Sequence, residues 1–231
     1  GWQTDGSSSY YFSKDTETAL LGLQQIDGAL YYFGEDGKLV RSRTVTLDGV
    51  VYRADASGKL TTELTPITGT AQATAAQMTA YLRAVNPNVA QSVLDMIPCY
   101  LSEGAAEGIR GDIAFAQSCL ETGNFTFRGS AVTLEQNNFC GMGVTSNGVK
   151  GNSFATPQLG IRAQIQHLKA YASTAALQQA CVDDRFRYVQ RGCAPYVEWL
   201  GIPENPHGRG WAGGAGYGAK ILRILTAILQ M

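Results

Sequence analysis

The 231-residue chain has no uninterrupted apolar run of the roughly eighteen residues that a membrane span needs. Its most apolar stretch, AKILRILTAILQM at the C-terminus, is broken by Lys220 and Arg223 at helical spacing and reads as a core helix. Charge bias is missing too. With 18 Lys and Arg against 19 Asp and Glu, the net charge of -1 offers no basic field to nucleic acid or acidic lipid. Histidine is scarce, at 2, and none of the five cysteines (Cys99, Cys119, Cys140, Cys181, Cys193) falls in a C-x-x-C pair, so no metal and no cofactor is expected. Five thiols cannot all pair with one another; several pairings of four are open, and buried, unpaired thiols are the preferred reading. The chain opens GWQTDG without an initiator Met and reads as one from which any signal peptide is already gone.

What is present is 45% hydrophobic residues, enough for a sizeable core, arranged in two stretches of different character. Residues 1–65 are aromatic and repetitive. YYF at 10–12 returns at 31–33, IDG at 26–28 returns as LDG at 47–49, and GKL at 37–39 returns at 58–60. A period near 20 residues predicts short hairpins that bury their faces only against neighbours. Each unit is expected to turn at Asp-Gly, run through an aromatic strand and turn again at Gly37 or Gly58. The order GW, DG, YYF resembles the choline-binding and related cell-wall-binding repeats of bacterial surface proteins. Such repeats can cage a quaternary ammonium group between aromatic faces, which implies choline or teichoic acid as partners. Packing of hairpin on hairpin is the competing role for the same rings.

A Thr- and Ala-rich linker, TTELTPITGTAQAT at 61–74, separates this module from the rest, so the domains are read as 1–65 and 66–231. Thr74 and Gln77 form a capping box that starts a helix at Ala75. Further helices are predicted over 89–107 with a kink or break at Pro98, 111–121, 158–173, 175–182 and 215–229. The stretch 124–157, rich in Gly, Asn, Ser and Phe, suits loops and a small β-hairpin. The fold class is therefore α+β, a mainly helical domain preceded by a β-hairpin repeat module.

One helix poses a chemical question. In AFAQSCLETGNF, residues 114–125, apolar side chains cover both flanks of a helix whose remaining stripe is Ala114, Gln117 and Glu121. A carboxyl at a helix C-terminus, beside the negative end of the dipole and partly buried, holds its proton to higher pH than an exposed one. That is what a general acid requires; a surface Glu at a frayed helix end is the alternative.

Leu120-Glu121-Thr122-Gly123 closing a helix, followed by Asn137-Asn138-Phe139-Cys140-Gly141 and then by Gly210-Trp211-Ala212 and Gly216-Tyr217-Gly218, resembles glycoside hydrolase family 73, bacterial enzymes that cut peptidoglycan glycan strands. The resemblance spans about residues 74–231 and implies a lysozyme-like fold acting on peptidoglycan outside the cell, associated with the wall. It implies Glu121 as general acid, Tyr217 as a cleft-lining tyrosine that positions the sugar, Asn138, Phe139 and Gly141 as the cleft border, and Phe125 as a ring that stacks on sugar; turn residues at Asn137, Asn138 and Gly141 and core rings at Phe125 and Phe139 are the competing roles. Between Glu121 and Asp183 the one acid is Glu135, the candidate second carboxylate; where many relatives carry another, near 154–157, this chain has none. A substrate-assisted route, in which the acetamido oxygen of the sugar attacks, needs no second acid. Two alternatives stay open: a lytic transglycosylase on the same fold, and a non-catalytic wall-binding protein. His167 is read as a packing or surface residue, and Arg185, Arg187 and Arg191 as a solvated face.

Overall fold

The computed structural model describes residues 1–47, 50–146 and 148–231 and separates into two compact units, Gly1–Leu64 and Thr65–Met231. Among the described residues no helix is long and apolar enough to cross a membrane.

The first unit is a series of antiparallel hairpins. β1 (Trp2–Asp5) pairs with β2 (Ser8–Tyr11), β3 (Gly22–Ile26) with β4 (Ala29–Phe33), and β5 (Thr44–Leu47) with β6 (Val50–Ala54), to which β7 (Leu60–Thr62) adds a third strand. The Asp-Gly turn behaves as expected: Asp27 and Gly28 both have positive φ, 50° and 79°, and join β3 to β4 with Ile26 opposite Ala29. The second expected Asp-Gly turn, Asp48-Gly49, lies outside the described residues. Turns also close at Gly37 and Gly58, whose N–H groups donate to the carbonyls of Gly34 and Asp55. Hairpins this short cannot bury a core alone. Ile26, Phe33 and Leu39 therefore pool their apolar faces, with Tyr11, Leu20 and Tyr31 packed around them. Trp2 lies edge-on to Tyr11 and Tyr31 at 5.2 and 5.1 Å between ring centroids.

Among its described residues the second unit has five α-helices: α1 (Ala75–Val85), α2 (Gln91–Glu107), α3 (Gly111–Glu121), α4 (Pro157–Ala172) and α5 (Tyr217–Leu229). The capping box at Thr74 and Gln77 forms in both directions. α2 runs through Pro98 as one helix rather than breaking there. α3 is the centre, with every residue from Gly111 to Cys119 buried. Its start is pinned by the fully buried Asp112, whose carboxylate pairs with Arg110 and accepts N–H bonds from Gln72, Ala73 and Ile113.

Two expectations fail. Residues 175–182 form no helix, because their N–H groups bond to distant side chains instead of to the preceding turn. Gln178 and Gln179 donate to Glu107, and Val182 donates to Gln166. Segment 124–157 contains no strand pair among the described residues; it is a succession of turns with one 3-10 turn at Leu134–Gln136. Asn138 does the work that a ladder would: its amide donates to the carbonyls of Met142 and Asn152, and its side-chain oxygen accepts from the Met142 N–H. The overall class is α+β, with the strands in the first unit.

Candidate active site

α3 ends at a sharp reversal. Gly123, Asn124 and Phe125 adopt left-handed φ values of 59°, 55° and 58° in succession. For each non-glycine residue this costs about 1–2 kcal/mol. The Thr122 hydroxyl, accepting from Phe125 N–H and donating to the Ser118 carbonyl, holds the turn, and the Phe125 ring is driven into a cluster with Phe115, Phe127 and Phe139. Burying that ring returns about 1.5–3 kcal/mol.

The reversal leaves Glu121 facing an open cleft of about 470 Å³. Cys140, Gly141 and Met142 form the wall beside it, and His167, Tyr171, Arg185 and Trp211 line the same cavity. Among the described residues Glu121 is the only carboxylate in the lining. Burial pushes its carboxyl above the ordinary glutamate range, while a hydrogen bond from Tyr217 pulls part of the way back.

That hydrogen bond is the last of a buried series running through four helices, α2, α3, α4 and α5. Tyr100 OH donates to Ser118 Oγ (2.9 Å), Ser118 to Gln164 Oε1 (2.9 Å), Gln164 Nε2 to Gln117 Oε1 (2.9 Å), Gln117 Nε2 to Tyr217 OH (2.9 Å), and Tyr217 OH to Glu121 Oε1. Every donor points the same way. Because Gln117 occupies the Tyr217 oxygen as donor, the single phenolic hydrogen is left for Glu121. Burial and the nearby Glu121 charge raise the Tyr217 phenol well above its usual range, so it stays protonated. Tyr217 owes its place to Gly218, where a Cβ would stand 2.3 Å from the Val197 carbonyl; only glycine lets the start of α5 dock so closely.

The structure separates the candidate residues. Glu121 and Gly141 line the cleft together, and a methyl group added at Gly141 would sit 4.0 Å from Glu121 Oε2. Tyr217 is buried behind Glu121 and contacts the acid, whereas the sequence reading put it against the sugar. Phe125, expected to stack on a sugar ring, is 6% exposed inside the aromatic cluster, and Phe139, at 1%, is core. Asn138 organises the loop from beneath. Glu135 is exposed on the 3-10 turn, outside the cleft lining, so the structure does not bring a second carboxylate to Glu121.

Other residues enter that sequence reasoning missed. His167 is buried, its Nδ1 2.7 Å from Asp183 Oδ2, with its ring edge-on to Trp211 (4.8 Å) and Tyr171 (5.4 Å). The arginine cluster is a solvated face only at Arg187, which is exposed: Arg191 is spent on the carbonyls of Ser173 and Ala175, and Arg185 lines the cleft. Gln117 left a signal, since it shares the polar stripe of α3 with Glu121. His167 and Asp183 left none, being joined only by the path of the loop after α4.

Residues 97–229 match the family described as mannosyl-glycoprotein endo-β-N-acetylglucosaminidase, and residues 1–15 and 22–39 match the choline-binding type of cell wall binding repeat. An uncharacterised protein of Borreliella burgdorferi is 40% identical over 151 residues, which cover 65% of this chain and 70% of that protein. Among solved structures, a choline-binding domain from Streptococcus pneumoniae is similar at 24% identity over 26% of this chain and 72% of its own, with a TM-score of 0.25. Choline-binding protein F of the same organism is similar at 26% identity over 30% of this chain and 22% of its own, with a TM-score of 0.24.

Proposed function

The chain belongs to the endo-β-N-acetylglucosaminidase family and is a glycoside hydrolase carrying cell-wall-binding repeats, and from that premise we propose that it is a secreted autolysin-type enzyme that cleaves the β-1,4 bond after N-acetylglucosamine in peptidoglycan. Glu121 is the general acid. Its Oε1 is committed to the Tyr217 hydroxyl, so the transferable proton sits on Oε2, the oxygen beside Gly141. Tyr217 is a positioning residue, fixed by Gln117 and Gln164 rather than by the sugar.

The observation that carries the mechanism is that Glu121 is the single carboxylate in the cleft lining among the described residues. With no second acid at hand to act as base or nucleophile, the acetamido oxygen of the substrate attacks the anomeric carbon as Glu121 protonates the leaving oxygen, and water then opens the oxazolinium ion. The configuration is retained. Peptidoglycan digested by the full chain should release fragments ending in reducing N-acetylglucosamine, with the β-anomer formed first. Nuclear magnetic resonance of the fresh product reads the anomer, and mass spectrometry reads the end. An inverted anomer would exclude substrate assistance, and 1,6-anhydro muramic ends would make the protein a lytic transglycosylase.

The repeats tether the enzyme to the wall. Trp2, 43% exposed, presents an aromatic surface while its edges rest on Tyr11 and Tyr31. Trp2→Ala is expected to weaken retention on purified walls by about tenfold, the scale of one aromatic contact, leaving hydrolysis of soluble strands unchanged. Free choline competing the wild-type chain off the wall would identify the ligand as a choline-bearing polymer such as teichoic acid. Undiminished retention of the variant would rule out this surface.

A further inference from the structure

The cleft contains a cation that a neutral sugar does not call for. Arg185 is half-buried in the cleft lining, and among the described residues no ion pair neutralises it. Its neighbour Asp183 is fully buried and already engaged, with Oδ2 on His167 Nδ1 and Oδ1 accepting the backbone N–H of Arg185. Asp183 thus fixes the main chain that carries the guanidinium and the imidazole next to it, without cancelling the charge. Tyr171 and Trp211, 5.9 Å apart, complete this part of the lining; the Tyr171 hydroxyl is tied to the Gly210 carbonyl, so the wall is built before any ligand arrives. His167 Nε2 has no hydrogen-bond partner among the described residues. Glu121 and Arg185 line the same cavity with separate partners, the acid hydrogen-bonded to Tyr217 and the guanidinium over the Tyr188 ring.

We propose that Arg185, flanked by His167, Tyr171 and Trp211, forms a subsite that binds a carboxylate on the sugar next to the cleaved bond, making the enzyme selective for acidic over neutral glycan. The Arg185 guanidinium rests over the exposed Tyr188 ring, 5.7 Å from its centroid, but meets no carboxylate among the described residues, so an anion that enters the cleft can pair with it through charge-assisted hydrogen bonds. The inference rests on the hydrolase reading above. In peptidoglycan that carboxylate belongs either to the lactyl ether of every second sugar or to the peptide attached there.

Three substrates separate the sources: neutral N-acetylglucosamine oligomers, strands stripped of peptide so that the lactyl carboxylate is free, and strands that keep their peptides. The wild-type full chain should prefer an acidic strand, and Arg185→Met should lower the ratio of kcat/KM for acidic over neutral substrate by about tenfold through KM, with Arg185→Lys recovering part of it. Loss confined to stripped strands assigns the lactyl carboxylate; loss confined to peptide-bearing strands assigns the peptide. The affinity of Glu121→Gln protein for the same strands, with and without Arg185→Met, reads the subsite without turnover, so failure of the hydrolase reading leaves it measurable. Equal effects on neutral and acidic strands, or none, overturn the subsite.

Discussion

Glu121→Gln is expected to lower glycan cleavage by about a thousandfold or more, within the range set by loss of a general acid, while the protein melts at a higher temperature than wild type at neutral pH. Both effects come from one cause. Burial makes ionisation of Glu121 unfavourable and raises its carboxyl above the value it has in the unfolded chain, with the Tyr217 hydrogen bond offsetting part of this. A group raised in this way contributes stability that is complete below the ordinary carboxyl range and is lost as pH rises through the folded value. At neutral pH the wild-type site is therefore under electrostatic strain, and glutamine, which still accepts the Tyr217 hydroxyl, is free of it. Release of soluble fragments from peptidoglycan measures the first effect; thermal melts at acid and neutral pH measure the second. Wild-type turnover in the variant would remove Glu121 from the mechanism. A melting gain that persists undiminished in acid would show that ionisation is not its source.

Lys169→Met is expected to destabilise the helical unit by about 3–5 kcal/mol, the cost of leaving a buried charge without its partner. Glu107 in α2 and Lys169 in α4 are 3% and 4% exposed, and their charged atoms meet at 2.8 Å. The same carboxylate accepts the N–H groups of Gln178 and Gln179. Burial pushes Glu107 upward, but Lys169 and the two N–H groups more than offset it, leaving its carboxyl below the usual range. Its contribution is thus present above the ordinary carboxyl pKa and is lost as pH falls. Denaturant unfolding at neutral pH reads the loss, and Glu107→Gln in the same chain should recover much of it. A loss of under about 1 kcal/mol, the scale of an exposed pair, would mean that the pair does not hold α2 to α4.

That pair also marks where sequence reasoning stops. α1, α3 and α5 were legible because their signals are local: a capping box, an apolar flank, a glycine before an amphipathic run. Segment 175–182 looked helical by the same local criteria and is not, because Glu107 and Gln166 bond its backbone from far along the chain. The site divides in the same manner. Glu121 could be singled out from its position on a helix end and from the motif around it. That the Tyr217 hydroxyl turns to Glu121 depends on Gln117 and Gln164, residues of different helices brought to 2.9 Å. Phe125 takes the core role rather than the sugar-facing one, and the left-handed backbone that turns its ring inward leaves no trace in residue type. His167, Asp183 and Arg185 gather only once the loop after α4 closes.

The left-handed reversal at Gly123 to Phe125 also ties the setting of Glu121 to completion of the fold. Asn124 and Phe125, wound against the natural hand of an L-residue, are held by the Thr122 hydroxyl and by the aromatic pocket that receives Phe125. On the mechanism proposed above, a chain that has not completed this turn has no active site, and the fold itself acts as the safety catch.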